Sequence, residues 1–377
     1  MNILIDCSHI KRLPTCTVSL HLYAGRLMQG LNSREDVHPI VLTHKGMEAY
    51  IDSLAGFCVD KILVDGSEKR LPSTKLDRLL GLIPRSLEQQ LQERRICAVI
   101  TPDFSPYAYS FPKRYHQHLV IHDLIRVHRP RGGGPDYYRL MFKWLASRVP
   151  HIIAISDATR QSLKAWCGRD ATVIHNSIPF DFACPEQPVD ALVGRPYILD
   201  VNRFDFYKNP ETLVAAFNSI KDRIPHQLYF KGLADRGNTD ICHLKEYIAQ
   251  LQLEDRVILD TSNRTEAEMR WLYSHASLFV TPSLEEGFGY TPIEAAILKT
   301  PVLVSDIATL REVTQGRVPT FNPHDAEELA SKMLALLTTP PTAQERQATA
   351  AFFLQEYSLE RQTEQFVTLI KSNTAPT

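Results

Sequence analysis

The stretch TPSLEEGFGYTPIEAA, residues 281–296, sets two glutamates, Glu286 and Glu294, eight positions apart with a glycine-bracketed aromatic between them. Backbone N–H groups at a helix start, approached through glycines, bind anions, and phosphate is the expected guest. SLFVTPS reads as an apolar strand, EEGFGYT as the loop leaving it and PIEAAILK as a helix with proline near its first turn. Glu294 then lies about one turn inside that helix, where a carboxylate can accept from hydroxyls just beyond the phosphate, while Glu286 lies at the other end of the loop. A carboxylate, an anion nest and a second carboxylate, in that order, suit a ribose, a diphosphate and a sugar. Glutamates near a helix start also serve simply to complement its dipole, and a single Gly-x-Gly is weak evidence by itself.

A second element weighs on the choice. In DVNRFDFYKNPETLVAAF, residues 200–217, Arg203 and Lys208 stand five apart in a loop between a strand and a helix. Two fixed cations beside an anion nest would neutralise the charge that grows on a diphosphate leaving group as a glycosidic bond breaks. Taken singly, each is equally a solvated surface charge.

These residues require strands and helices to carry them, and the pattern supplies both in alternation. Apolar, β-branched runs occur at 1–6, 38–43, 97–101, 118–123, 151–156 and 172–176, with helix-period segments such as SLHLYAGRLMQGL and ATRQSLKAWC between several of them. After the polar stretch CPEQPVDALVGRP a second series follows at 197–202, 227–232, 256–260, 277–283 and 301–306. The reading is α/β, with two Rossmann-like domains, 1–190 and 191–355, facing across a cleft, and a terminal stretch 356–377 that is helical from about Leu359 to Ile370. In open sheets of this kind ligands sit at the carboxyl ends of strands, where both motifs fall.

A chain of 377 residues exceeds what one ordinary core supports, in agreement with two domains. With 44% hydrophobic and 23% charged residues it has a water-soluble composition, and no apolar run reaches the roughly 20 residues of a membrane-spanning helix. MNILIDCSHI lacks the basic start and cleavage site of a signal peptide, so a cytoplasmic location is expected. The seven cysteines are scattered, without a Cys-x-x-Cys pair, and read as reduced thiols. No His or Asp cluster suits a metal, and no cofactor or nucleic-acid partner is expected. Residues 1–190 carry 24 Lys and Arg against 19 Asp and Glu, and the remainder 18 against 24, so the first half is the basic one.

The combination of Arg203-x4-Lys208-Asn209, EEGFGYTPIEAA and TPVLVSDIATLREV resembles the retaining nucleotide-sugar glycosyltransferases of family 4, which have the GT-B fold. VIHDLIRVHRP, IIAISDATRQSLKAW and VIHNSIP extend the resemblance into the first half. It implies a donor-binding second domain, an acceptor-binding first domain and a C-terminal helix that crosses back to the first. Arg203 and Lys208 would bind the donor diphosphate, Glu294 the ribose, Glu286 the transferred sugar, and the backbone amides of Gly287, Phe288, Gly289, Tyr290 and Thr291 would cradle phosphate and sugar. His122 would face the donor sugar. The resemblance further implies retention of anomeric configuration without a metal, and a role in surface polysaccharide or glycan synthesis. The alternative is a nucleotide-sugar-binding scaffold with the same fold and weak turnover.

Three positions depart from the family pattern. No glycine follows the first strand before Tyr23, so Ser8, Thr15 or Thr17 would have to serve there. Asn202 replaces the glycine before Arg203, a residue still tolerant of unusual backbone angles. Lys299 replaces the glycine after the Glu294 helix, at a cost of about 1 kcal/mol if it adopts a left-handed cap. The resemblance implies a saccharide or a lipid-linked saccharide as acceptor. For it, RVHRPRGGGPDYYRLMFKWLASRV, residues 126–149, offers either a Gly-rich acceptor loop with a membrane-surface helix, peripheral at the inner face, or an amphipathic helix packed on its own sheet. Nucleobase contacts are expected from backbone near Lys231-Gly232 and Asp260 to Asn263.

Overall fold

The computed structural model describes residues 1–10, 19–64, 83–104, 109–128, 136–178, 180, 182–233 and 239–374. The chain forms two compact units, Met1–Pro179 with Tyr357–Thr377, and Phe180–Glu356.

The first unit is built on β1 (Asn2–Asp6), β2 (His38–His44), β3 (Asp60–Val64), β4 (Ile96–Thr101), β5 (Gln117–Ile121), β6 (His151–Ala154) and β7 (Thr172–Val173). They lie in the order β3-β2-β1-β4-β5-β6-β7, and every recorded pairing is parallel. Sequential strands run outward from β1 on one side and from β4 on the other, which puts the switch point between β1 and β4. Strands covered on both faces are apolar over most of their length, which is why ILI, IVL and AVI mark them so plainly. Residues Leu359–Thr374 form a helix whose Phe366, Val367 and Ile370 are buried. It packs on the helix Ser19–Asn32 at Gly30, where an added Cβ would lie 2.0 Å from Thr363 Oγ1, so that only glycine admits the contact. Arg34 to Glu364 (2.5 Å) and Lys371 to Asp36 (2.6 Å) fix its rim.

The second unit repeats the plan with β8 (Tyr197–Val201), β9 (Gln227–Lys231), β10 (Val257–Asp260), β11 (Leu278–Thr281), β12 (Val302–Ser305) and β13 (Thr320–Phe321), in the order β10-β9-β8-β11-β12-β13. Its switch point falls between β8 and β11, which pair through Ile198 with Leu278 and Leu199 with Phe279. The core on one face joins Leu213, Val214 and Phe217 of the helix Pro210–Ile220 to Leu228, Phe230, Leu278 and Val280 of the sheet.

Lys299 does adopt the left-handed conformation, with φ 66°, while its N–H still donates to Ala296 O at 2.9 Å and the next N–H to Ala295 O at 3.0 Å. A side chain there crowds its own carbonyl. Lys299→Gly is expected to raise unfolding free energy by about 1 kcal/mol in denaturant titration. A destabilised variant would count against the strain.

Candidate active site

The two motifs flank the switch point of the second unit: one leaves β8 and the other leaves β11. After β8 the chain makes a 3-10 turn, Phe206–Lys208, and Asn209 then takes a left-handed φ of 59° before Pro210 opens the next helix. The Asn209 side chain donates to Pro282 O (3.1 Å) and Pro323 O (2.8 Å) and accepts from the Thr212 hydroxyl (2.7 Å). Leu284 N–H donates to Tyr207 O at 2.8 Å. The loops carrying Lys208 and Glu286 are thereby stitched together by groups that the sequence reading gave no role; an Asn before a helix-opening proline was the available signal.

Within that frame Lys208 Nζ donates to Glu286 Oε1 at 2.7 Å, and the two side chains are only 12% and 10% exposed. Ser283 Oγ donates to the same carboxylate oxygen at 2.8 Å, and Thr309 Oγ1 donates to Glu286 O at 2.9 Å. Arg203 donates to Asp205 at 2.9 Å, with 42% of its side chain exposed. Asp205 also accepts from the Tyr207 hydroxyl at 3.0 Å. Asp200, at 3% exposure near the end of β8, accepts from Asn202 Nδ2 at 2.7 Å. Burial pushes its pKa up to about 7, with Glu286 adding to the rise and Asn202 and Lys208 opposing it. Asn202 keeps a negative φ. Its value at the glycine's place therefore lies in this amide bond, and the expected backbone tolerance is not used.

The helix Tyr290–Ile297 starts at Gly289, whose φ of 92° only glycine adopts freely and whose Cβ would meet Leu310 Cδ2 at 2.7 Å. Phe288 is buried, ring against Tyr290 at 5.2 Å, so only its backbone is available to a ligand. Glu294, in the second turn, accepts from the Tyr273 hydroxyl at 2.7 Å. Burial raises its pKa to about 7, and the Tyr273 hydrogen bond partly offsets that rise. In the region assigned to the nucleobase, buried Lys231 donates to Ser262 O at 2.8 Å, and Asp260 accepts from Arg264 at 2.8 Å. This holds the loop after β10 in one shape.

In the first unit His122 lies one residue past β5. Its Nε2 donates to Pro102 O at 2.8 Å, since a carbonyl can only accept, and its ring stands edge-on to Tyr23 with centroids 4.7 Å apart. Burial lowers its pKa to about 4, so it is neutral at pH 7. Ser156 caps its helix through Thr159 N–H at 3.1 Å, and Thr159 Oγ1 donates to His122 O at 3.3 Å. The Ser8 hydroxyl is taken by Asp6 at 2.6 Å. Thr15, Thr17 and the Gly-Gly-Gly stretch lie outside the described residues. Among the described residues no group of three or more His, Cys, Asp or Glu could hold a metal ion.

Two parallel-sheet units of this topology, with a glycine-led helix start and a lysine–glutamate pair at one switch point, define a GT-B glycosyltransferase fold. The "Glycosyltransferase Family 4" model matches residues 22–182 and the "Glycosyl transferases group 1" model residues 187–351. The chain belongs to the family 4 glycosyltransferases. An O-antigen chain mannosyltransferase of Salmonella typhimurium is 28% identical over 229 residues, 59% of this chain and 61% of that protein. A serotype-specific mannosyltransferase of Escherichia coli is 26% identical over 238 residues, 58% of this chain but only 29% of the relative. The chain thus spans less than two thirds of either. Among solved structures, Anabaena HepE in complex with UDP and glucose shares the fold with a TM-score of 0.75 at 17% identity, covering 99% of this chain and 100% of that one.

Proposed function

We propose that this protein is a retaining glycosyltransferase that moves a sugar from a nucleotide-diphosphate donor to a saccharide or lipid-linked saccharide acceptor in surface polysaccharide synthesis. The names of the two mannosyltransferase relatives support mannose as the sugar. The observation that carries the reading is the desolvated Lys208–Glu286 pair beside the Gly289-led helix start. A diphosphate competes for Lys208, and Glu286 is then released to accept from a hydroxyl of the transferred sugar. Arg203 lies in the same loop for the diphosphate, and amides from Gly287 to Thr291 for phosphate and sugar. Glu294 accepts from the ribose. His122, neutral and with Nε2–H committed to Pro102, keeps Nδ1 as an acceptor for a sugar hydroxyl.

In a front-side displacement the bond from the anomeric carbon to the phosphate oxygen breaks while the acceptor oxygen bonds on the same face, and the acceptor's proton passes to the departing phosphate. Lys208 and the amides hold the charge that develops. Residues 1–190 bind the acceptor in this scheme and 191–355 the donor. No helix among the described residues is long and apolar enough to cross a membrane. For peripheral contact at the inner face, the helix Tyr137–Arg148 offers Leu140, 63% exposed, between exposed Arg139 and Lys143.

Nucleotide release over a panel of sugar donors, with and without acceptor, tests the scheme. Release is expected with one donor and to survive a strong chelator, because side chains and amides neutralise the diphosphate. Activity lost to chelator and restored by magnesium or manganese would contradict metal independence. Tight donor binding without release would favour the scaffold alternative.

A further inference from the structure

The loop that carries Glu286 is fastened at both ends by groups from other elements. Residues 282–289 lead from β11 to the helix Tyr290–Ile297. On the strand side, Pro282 O accepts from Asn209 Nδ2 at 3.1 Å, Ser283 O accepts from Ser305 Oγ at 2.5 Å, and Leu284 N–H donates to Tyr207 O. On the far side the fastenings come from a single element, the helix Ala308–Thr314 that follows β12. Thr309, 5% exposed, donates its hydroxyl to Glu286 O at 2.9 Å. Buried Leu310 and Val313 of the same helix fill the place of a side chain on Gly289, with Leu310 Cδ2 2.7 Å and Val313 Cγ2 3.9 Å from an added Cβ.

We propose that Thr309 is a positioning residue for sugar transfer, its hydroxyl holding the Glu286–Gly287 peptide so that the Glu286 carboxylate meets the transferred sugar. This rests on the donor-binding reading above. In the free protein the carboxylate is also restrained by Lys208 and Ser283. When a diphosphate draws Lys208 away, the side chain loses its charged partner just as its aim begins to matter. The main-chain bond to Thr309 is untouched by that exchange.

The peptide is planar and trans, so a carbonyl bonded to Thr309 turns the N–H of Gly287 to the opposite side, away from the helix. That amide stands next to Glu286, at the sugar end of the order sugar, diphosphate, ribose. Without the hydroxyl the plane can rotate about ψ of Glu286 and φ of Gly287, and glycine accepts either sign of φ. Carboxylate and amide then drift together, and a misplacement of about 1 Å costs up to about a hundredfold in rate.

The test compares wild type with Thr309→Val, which keeps the shape and removes the hydroxyl, and Thr309→Ser, which keeps the hydroxyl. Two quantities are measured: nucleotide release from GDP-mannose and from UDP-glucose, with water as acceptor, and calorimetric affinity for GDP and UDP. With the donor that wild type turns over, Thr309→Val is expected to lower kcat by about tenfold or more. Donor KM and nucleotide affinity are expected to stay within about threefold, because a nucleotide without its sugar does not reach Glu286. Thr309→Ser is expected to recover kcat to within about threefold of wild type. A Val variant with wild-type kcat, a Ser variant no better than Val, or a loss confined to KM and nucleotide affinity would overturn the inference while leaving the donor site standing. If Thr309→Val does not fold, Thr309→Ala removes the same hydroxyl and is held to the same outcomes. Wild type that releases nucleotide from neither donor ends the functional reading, and the inference with it.

Discussion

Lys208→Ala is expected to cut turnover at saturating donor by about a hundredfold or more, the range seen when one positioned charge donor is removed from a dry site. The amine that would meet the leaving group is nearly buried, so its charge acts in a medium where water screens poorly. The same substitution strands Glu286 with Ser283 as its remaining side-chain donor, which costs about 1–3 kcal/mol of stability. Stability and turnover are separable. Lys208→Ala combined with Glu286→Gln removes the stranded charge and is expected to recover much of the unfolding free energy without recovering turnover. Near-normal turnover in Lys208→Ala would remove the central assignment, whatever its melting temperature.

Glu286→Gln and Glu294→Gln should differ in kind. Glu294 is bonded to Tyr273 and assigned to the ribose, remote from the breaking bond, so its loss weakens donor binding and changes saturated turnover modestly. Glu286 is assigned to the sugar whose ring gains positive charge, so its loss depresses turnover itself, by about tenfold or more. Steady-state kinetics with one donor and saturating acceptor decide the matter. Two variants that change only donor affinity, or a reversed order of effects, would show that the sequence of ribose, diphosphate and sugar along EEGFGYTPIE is wrong.

Much of the architecture is readable from local pattern because doubly covered parallel strands are apolar along most of their length. What escapes that pattern is informative. DKILV of β3 buries only Ile62 and sits at the sheet edge, while β13 is two residues long; neither needs an apolar run. At the site, Lys208, Glu286 and Glu294 are legible because their chemistry demands particular side chains at particular loop positions. Their pairings are not: Lys208 meets Glu286 only through the strand order that sets β8 beside β11, and Tyr273 reaches Glu294 from the helix that precedes β11. Asn209 illustrates the same limit: its left-handed turn hints at itself in Asn-Pro, but the carbonyls it reaches at Pro282 and Pro323 lie far along the chain. The neutral state of His122 is likewise a product of burial.

The return of Tyr357–Thr377 to the first unit bears on how the protein is made. Residues 180–356 emerge from the ribosome as one uninterrupted stretch, whereas the first unit lacks the helix that seats on Gly30 until the whole second unit has been made. The usual order, in which the leading domain matures first, is then inverted. Nascent chains stalled with residue 356 just outside the exit tunnel should hold a protease-resistant second unit behind a first unit that is still cleavable, and the first should become resistant only once Phe366, Val367 and Ile370 have cleared the tunnel.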